Sequence, residues 1–180
     1  ENAAFRQTIE DWAKVSDKLY IWDYTTDFAH YLAPYPNLHI LWDNVRFFKE
    51  HNVVGVHEQG NYQAVSGEFG ELRGYLLAKL LWNPDMTKER YFELMDEFLQ
   101  DYYGEGWRYI REYIDRTAQK AAKSHMHLDD RPERYLPLES DEDRDFAREM
   151  TGLWEKALEA AGTEEYRNRV RKSKIQDEYY

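Results

Sequence analysis

The sequence predicts an α/β protein in which one parallel strand–helix–strand unit is followed only by helices. Two short apolar runs predict the strands: Leu19-Tyr20-Ile21-Trp22-Asp23-Tyr24, and Val53-Val54-Gly55-Val56 leading into His57-Glu58-Gln59-Gly60-Asn61-Tyr62. Each is rich in β-branched and aromatic residues and short enough to be a buried strand, and the stretch between them has the period of one amphipathic helix. Such a unit winds right-handed and sets its strands parallel, with the sheet covered on both faces. Trp22-Asp23-Tyr24 and Glu58-Gln59-Asn61-Tyr62 then share the carboxyl edge of the sheet, where α/β folds place ligands and active sites.

Two parallel strands cannot shield their own hydrogen-bonding edges, and after Tyr62 only helical patterns follow. The chain opens Glu1-Asn2-Ala3, with no Met, basic leader or apolar signal core. Together these features predict a fragment of a larger enzyme whose other strands lie in the remainder of the polypeptide.

The elements follow in order. Phe5, Ile9, Trp12, Ala13 and Val15 recur at helical spacing over residues 3–16. From Thr25 to Pro36 runs a long aromatic loop in which Pro34 and Pro36 forbid regular structure, and loops of this length at a strand end are usually functional. Asn37 is an N-cap candidate for a helix reaching Glu50, with Leu38, Leu41, Trp42, Val45 and Phe48 in one stripe. Ser66 is a cap candidate for a helix stopped by Pro84, and Thr87 for one stopped by Gly104. Further helices are predicted from Gly106 to Ser124 and from Ser140 to Ala161. The segment from Thr163 to Ile175 has a sparse apolar face and is predicted to fray. Residues 1–84 thus read as β/α units and residues 85–180 as a helical C-terminal region.

The balance of 35 acidic against 24 basic residues gives a net charge of −11. That charge opposes phosphate backbones and anionic lipid surfaces, so no nucleic-acid partner is predicted. Six Trp and fifteen Tyr exceed what a disordered chain carries. The absence of Cys removes disulfides, thiolate catalysis and cysteine zinc sites, and no apolar run approaches the roughly 20 residues of a membrane span.

Several strings resemble one bacterial family. They are Trp22-Asp23-Tyr24-Thr25-Thr26-Asp27-Phe28, the helix start Pro36-Asn37-Leu38, Glu58-Gln59-Gly60-Asn61-Tyr62, and Gly67-Glu68-Phe69-Gly70-Glu71-Leu72-Arg73 through Leu80-Leu81-Trp82-Asn83-Pro84-Asp85. The family is the domain of unknown function 4838; it commonly has Phe where this chain carries His57. It is similar to the catalytic (β/α) barrel of glycan-degrading enzymes, with relatives in glycoside hydrolase family 163 that act on β-linked N-acetylglucosamine. The resemblance implies that the two strands are the last two of an eight-stranded TIM-type barrel, that the chain is part of a glycoside hydrolase, and that it works outside the bacterial cytoplasm. It also implies that the principal acid pair lies in earlier strands.

Within the chain, Glu58 is the candidate catalytic residue. Neighbouring strands lie about 4.8 Å apart, so Asp23 and Glu58 fit the roughly 5 to 9.5 Å carboxylate separation that glycosidases use. The competing readings are that Asp23 binds its own loop backbone and that Glu58 pairs with an Arg such as Arg73. Trp22, Asp23, Tyr24, Glu58, Gln59, Asn61 and Tyr62 form the substrate-binding set, because sugar rings pack their C–H faces on aromatic rings while amides and carboxylates take the hydroxyls. Alternation puts Trp22 and Tyr24 on one face of the strand and Asp23 on the other.

Trp12, Trp42, Trp82, Phe48 and Phe98 sit on helical stripes and are assigned to the core. His125-Met126-His127 with Asp129 and Asp130 lacks a recognised zinc spacing and reads as a solvated loop, so no metal or cofactor is predicted. Arg167, Arg169, Arg171, Lys172 and Lys174 read as an exposed face or as contacts with the acidic remainder. The alternative function is a non-catalytic carbohydrate-binding or helical interaction module.

Overall fold

A computed structural model describes residues 3–63 and 66–179, and shows a mixed α/β chain of two parallel strands and seven α-helices. Helix α1 spans Ala3–Val15, strand β1 Leu19–Tyr24, helix α2 Leu41–Glu50 and strand β2 Val53–Gln59. Helices α3 (Gly70–Trp82), α4 (Lys88–Tyr103), α5 (Trp107–Ala121), α6 (Asp141–Ala160) and α7 (Glu164–Tyr179) follow. The strands pair in register from Tyr20↔Gly55 to Asp23↔Glu58 and Tyr24↔Gln59, with an irregularity between Leu19 and Tyr20. Among the described residues these are the only strands, so each has one unpaired edge. Among the described residues no helix is long and apolar enough to cross a membrane.

The main core lies among the helices rather than on the sheet. Leu72, Leu76 and Leu80 of α3 and Leu94, Met95 and Leu99 of α4 pack with Ile110 and Ile114 of α5 and Leu153 and Trp154 of α6. Each helix contributes residues at i, i+3 or i+4 spacing, the stripe that removes apolar area from water at roughly 25 cal/mol per Å². Helix α7 is longer than its sparse pattern predicts and is fixed rather than frayed: Val170 and Gln176 are fully buried, and Tyr103 shares a hydrogen bond with Ser173. The basic residues of α7 mostly pair with acids, Arg171 with Glu164, Lys174 with Glu155, and Lys172 with Glu71 of α3.

The caps divide by how much tertiary structure competes for the side chain. Thr87 accepts from the Arg90 N–H, and Ser140 forms a capping box with Asp143. Asn37 and Ser66 do not cap. Asn37 donates to the Thr25 carbonyl and accepts from Arg73, so α2 begins at Leu41 behind an uncapped turn. Helix α3 begins behind Phe69, a left-handed residue at φ 45° whose buried ring faces Trp154. Two tryptophans assigned to the core are outside it, Trp12 at 59% and Trp82 at 91% exposure, whereas Phe48 is buried and Trp42 and Phe98 pack against the core.

Candidate functional site

The register brings the two sequence clusters together at the carboxyl edge and divides them between two faces. Tyr20, Trp22 and Tyr24 are exposed and stand over Gly55, His57 and Gln59; Ile21 and Asp23 pair with Val56 and Glu58 on the opposite face. That second face is turned to the helices, since Asp23 borders two clefts walled by Ile40 and Asn44 at the start of α2. Side-chain alternation forces the division, because adjacent strand residues point to opposite sides.

On the open face, Trp22 is 65% exposed and fixed in orientation. Its Nε1 donates to Gln59 Oε1 at 2.7 Å and its ring meets His57 edge-on at 4.9 Å between centroids. Tyr20 lies over Gly55, where a Cβ would stand 2.6 Å from its ring, so the glycine is the space this ring needs. Past the strand ends, Tyr24 meets Phe28 at 5.2 Å, Phe28 meets Tyr31 at 5.6 Å, and Tyr62 closes the group 6.3 Å from Phe28. Asn61 stands against Gly67 and Gly70 at the approach to α3.

On the helix face, Asp23 and Glu58 are half-buried register partners. Burial pushes the Glu58 carboxyl up to about 7, with the charge of Asp23 adding to the effect. Burial likewise raises Asp23, although its Oδ1 accepts the Tyr24 N–H at 2.8 Å. Arg73 is not the partner of Glu58. It is buried and paired with Glu68, and it also donates to Asn37 Oδ1 and to the Tyr35 carbonyl. This buried pair braces the aromatic loop against α3. It leaves Glu58 and Asp23 without an ion-pair partner among the described residues, so burial and the neighbouring acid both disfavour the charged form of Glu58.

The loop at His125–Leu128, read from sequence as solvated, leaves His127 and Asp129 exposed and also walls a cleft of about 250 Å³ with Asp23, Tyr35, Asn37 and Asn44. The Phe28 N–H donates to the Leu128 carbonyl, and Tyr135 Oη donates to the Pro34 carbonyl, so the helical region is tied to the β1–α2 loop at two points. No local signal in the sequence joins His125 to Asp23, about a hundred residues apart. Among the described residues no group of three or more His, Asp or Glu converges as a metal site.

A family model described as a domain of unknown function (DUF4838) matches residues 1–115. The match includes both strands and the Glu68–Arg73 brace, and ends inside α5, before the His125–Leu128 wall. Neither the curated proteins nor the solved structures contain a match.

Proposed function

The chain belongs to the family of the domain of unknown function 4838, and from that premise we propose that it forms part of a glycoside hydrolase acting on complex, N-acetylglucosamine-containing glycans. The observation that carries this reading is the exposed aromatic face of the sheet, with Trp22 held by Gln59 and Tyr24 beside it at the strand ends. An ordered, solvent-facing indole next to an amide matches the two demands of a sugar ring, an apolar surface for its C–H face and polar groups for its hydroxyls. Further polypeptide would add the other strands of a TIM-type barrel to the free edges of β1 and β2, and would carry the principal acid pair. Glu58 and Asp23 then assist from behind the strand ends. The substrate class places such an enzyme outside the bacterial cytoplasm.

A second reading, a carbohydrate-binding module without chemistry, is favoured by one specific feature: the carboxylates point away from the face that carries Trp22. A sugar stacked on that ring does not meet Glu58 on the same side of the sheet.

Titrating the chain with N,N′-diacetylchitobiose and an N-glycan, with cellobiose as control, and following tryptophan fluorescence, tests the binding claim. Saturable quenching by the acetamido sugars that disappears in Trp22→Ala is the expected result. No response to any of them would overturn it. Hydrolysis is expected only from a longer polypeptide that supplies the remaining strands; turnover by the 180-residue chain alone would refute the assignment of the acid pair to other strands.

A further inference from the structure

The helical region holds a cavity of about 200 Å³ that the glycan reading does not use. It lies between α5, α6, the end of α7 and the segment Leu136–Leu138, with Leu136, Phe146 and Met150 forming its apolar walls. A space of this size is comparable to the roughly 150 Å³ cavities that accept a benzene-sized ring. Two carboxylates border it, Asp143 and Asp177.

The two acids differ in what surrounds them. Asp143 is neutralised, since it receives Lys120 Nζ at 2.6 Å and the Ser140 hydroxyl at 2.6 Å. Among the described residues Asp177 receives only the Thr151 hydroxyl, at 3.1 Å. Lys174, the cation nearest along its helix, is engaged by Glu155 at 2.8 Å and by Glu178 at 3.3 Å. No Lys, Arg or His lies within ion-pair distance of Asp177 among the described residues. Its position is fixed, because the preceding Gln176 is buried and bonded to Tyr113 and to the Ser173 carbonyl. Burial pushes the Asp177 carboxyl up, against the Thr151 hydrogen bond and the charge of Lys174, whose effect the neighbouring Glu155 and Glu178 oppose.

We propose that this cavity binds a small aromatic or alkyl primary ammonium, with its apolar body between Phe146 and Met150 and its charged end on Asp177. The fit follows from chemistry that the site lacks by itself: an apolar chamber with one uncompensated carboxylate gains most from a ligand that brings both a ring-sized hydrocarbon and a cation. A neutral molecule of the same shape gains the apolar contact alone. An anion is repelled by the Asp177 carboxylate. The inference stands apart from the glycan reading and uses none of its residues.

Isothermal titration of the chain at pH 7.5 with benzylammonium, benzyl alcohol and benzoate is the test, with Asp177→Asn and Ala147→Leu as variants. Benzylammonium is expected to bind at least about tenfold more tightly than benzyl alcohol, the lower end for a charge-assisted bond. Benzoate is expected not to bind. Asp177→Asn should abolish the preference for the ammonium while retaining the weak binding of the alcohol, and Ala147→Leu, which fills the chamber from α6, should remove both at an unchanged melting temperature. Equal affinities for amine and alcohol, absence of benzylammonium binding, or a preference that survives in Asp177→Asn would each overturn the proposal. The comparison of the three ligands on the unmodified chain decides the matter even if a variant does not fold.

Discussion

Asp23 and Glu58 stand opposite each other across the parallel pair, two half-buried carboxylates on the helix-facing side of the sheet with no cation in ion-pair reach among the described residues. Like charges in such a position disfavour double ionisation, so the pair is a store of pH-dependent free energy.

The first prediction follows from the sign of that effect. Glu58 is raised from 4.5 to about 7 in the folded chain. A folded-state value above the unfolded one means that the group contributes stability below about pH 4.5, and that this stability is lost as pH rises through about 7. Glu58→Gln removes the titration. The variant should match the parent at pH 4 and exceed it at pH 8 by on the order of 1–3 kcal/mol in urea unfolding. Equal stability differences at the two pH values would show that the carboxyl is not strained by ionisation.

At the buried Glu68–Arg73 pair, removing the acid lowers stability at neutral pH instead of raising it. Both side chains are almost wholly buried, and Arg73 also holds Asn37 and the Tyr35 carbonyl. Glu68→Ala strands a buried guanidinium and is expected to cost roughly 3–5 kcal/mol, measured by chemical denaturation at pH 7. Because the brace orients the β1–α2 loop, the same variant should also weaken any ligand response that involves Tyr24.

Gly106 fills a different kind of constraint. A Cβ there would lie 2.5 Å from the backbone carbonyl of Ala157, where α6 crosses the turn before α5. Gly106→Ala forces those backbones apart and should destabilise by about 1–3 kcal/mol, the range for overpacking, read as a lowered melting temperature. Gly152, with open space around its Cβ position, is the matched control. At that helix-interior site Ala is expected to stabilise by about 0.5–1 kcal/mol.

Trp22→Ala separates binding from stability. The ring is largely solvent-exposed, so the change should shift unfolding by no more than about 0.5 kcal/mol. Its loss of the Gln59 contact and of the exposed ring surface should appear only in ligand titrations.

The sequence by itself determined the element order. Period-2 and period-3.6 patterns are local, so β1, β2 and the helix stripes were legible, as was the cap at Thr87, where no distant group competes for the side chain. It also placed the Trp22–Tyr24 and Glu58–Tyr62 clusters on one edge with Asp23 beside Glu58, because a parallel strand–helix–strand unit leaves little freedom in which ends meet. Tertiary structure decided the rest. Which sheet face the helices cover depends on long-range packing, and it turned Asp23 and Glu58 toward the helices and left Trp22 in the open. Asn37 left its capping role because Arg73 and Thr25 offered it buried partners, and Arg73 chose Glu68 over Glu58 because they share one helix start. The wall at His125–Leu128 and the chamber around Asp177 were invisible in sequence, since each is formed by residues far apart in the chain, the first where the loop after α5 meets β1 and the start of α2, the second where α5, α6 and α7 pack.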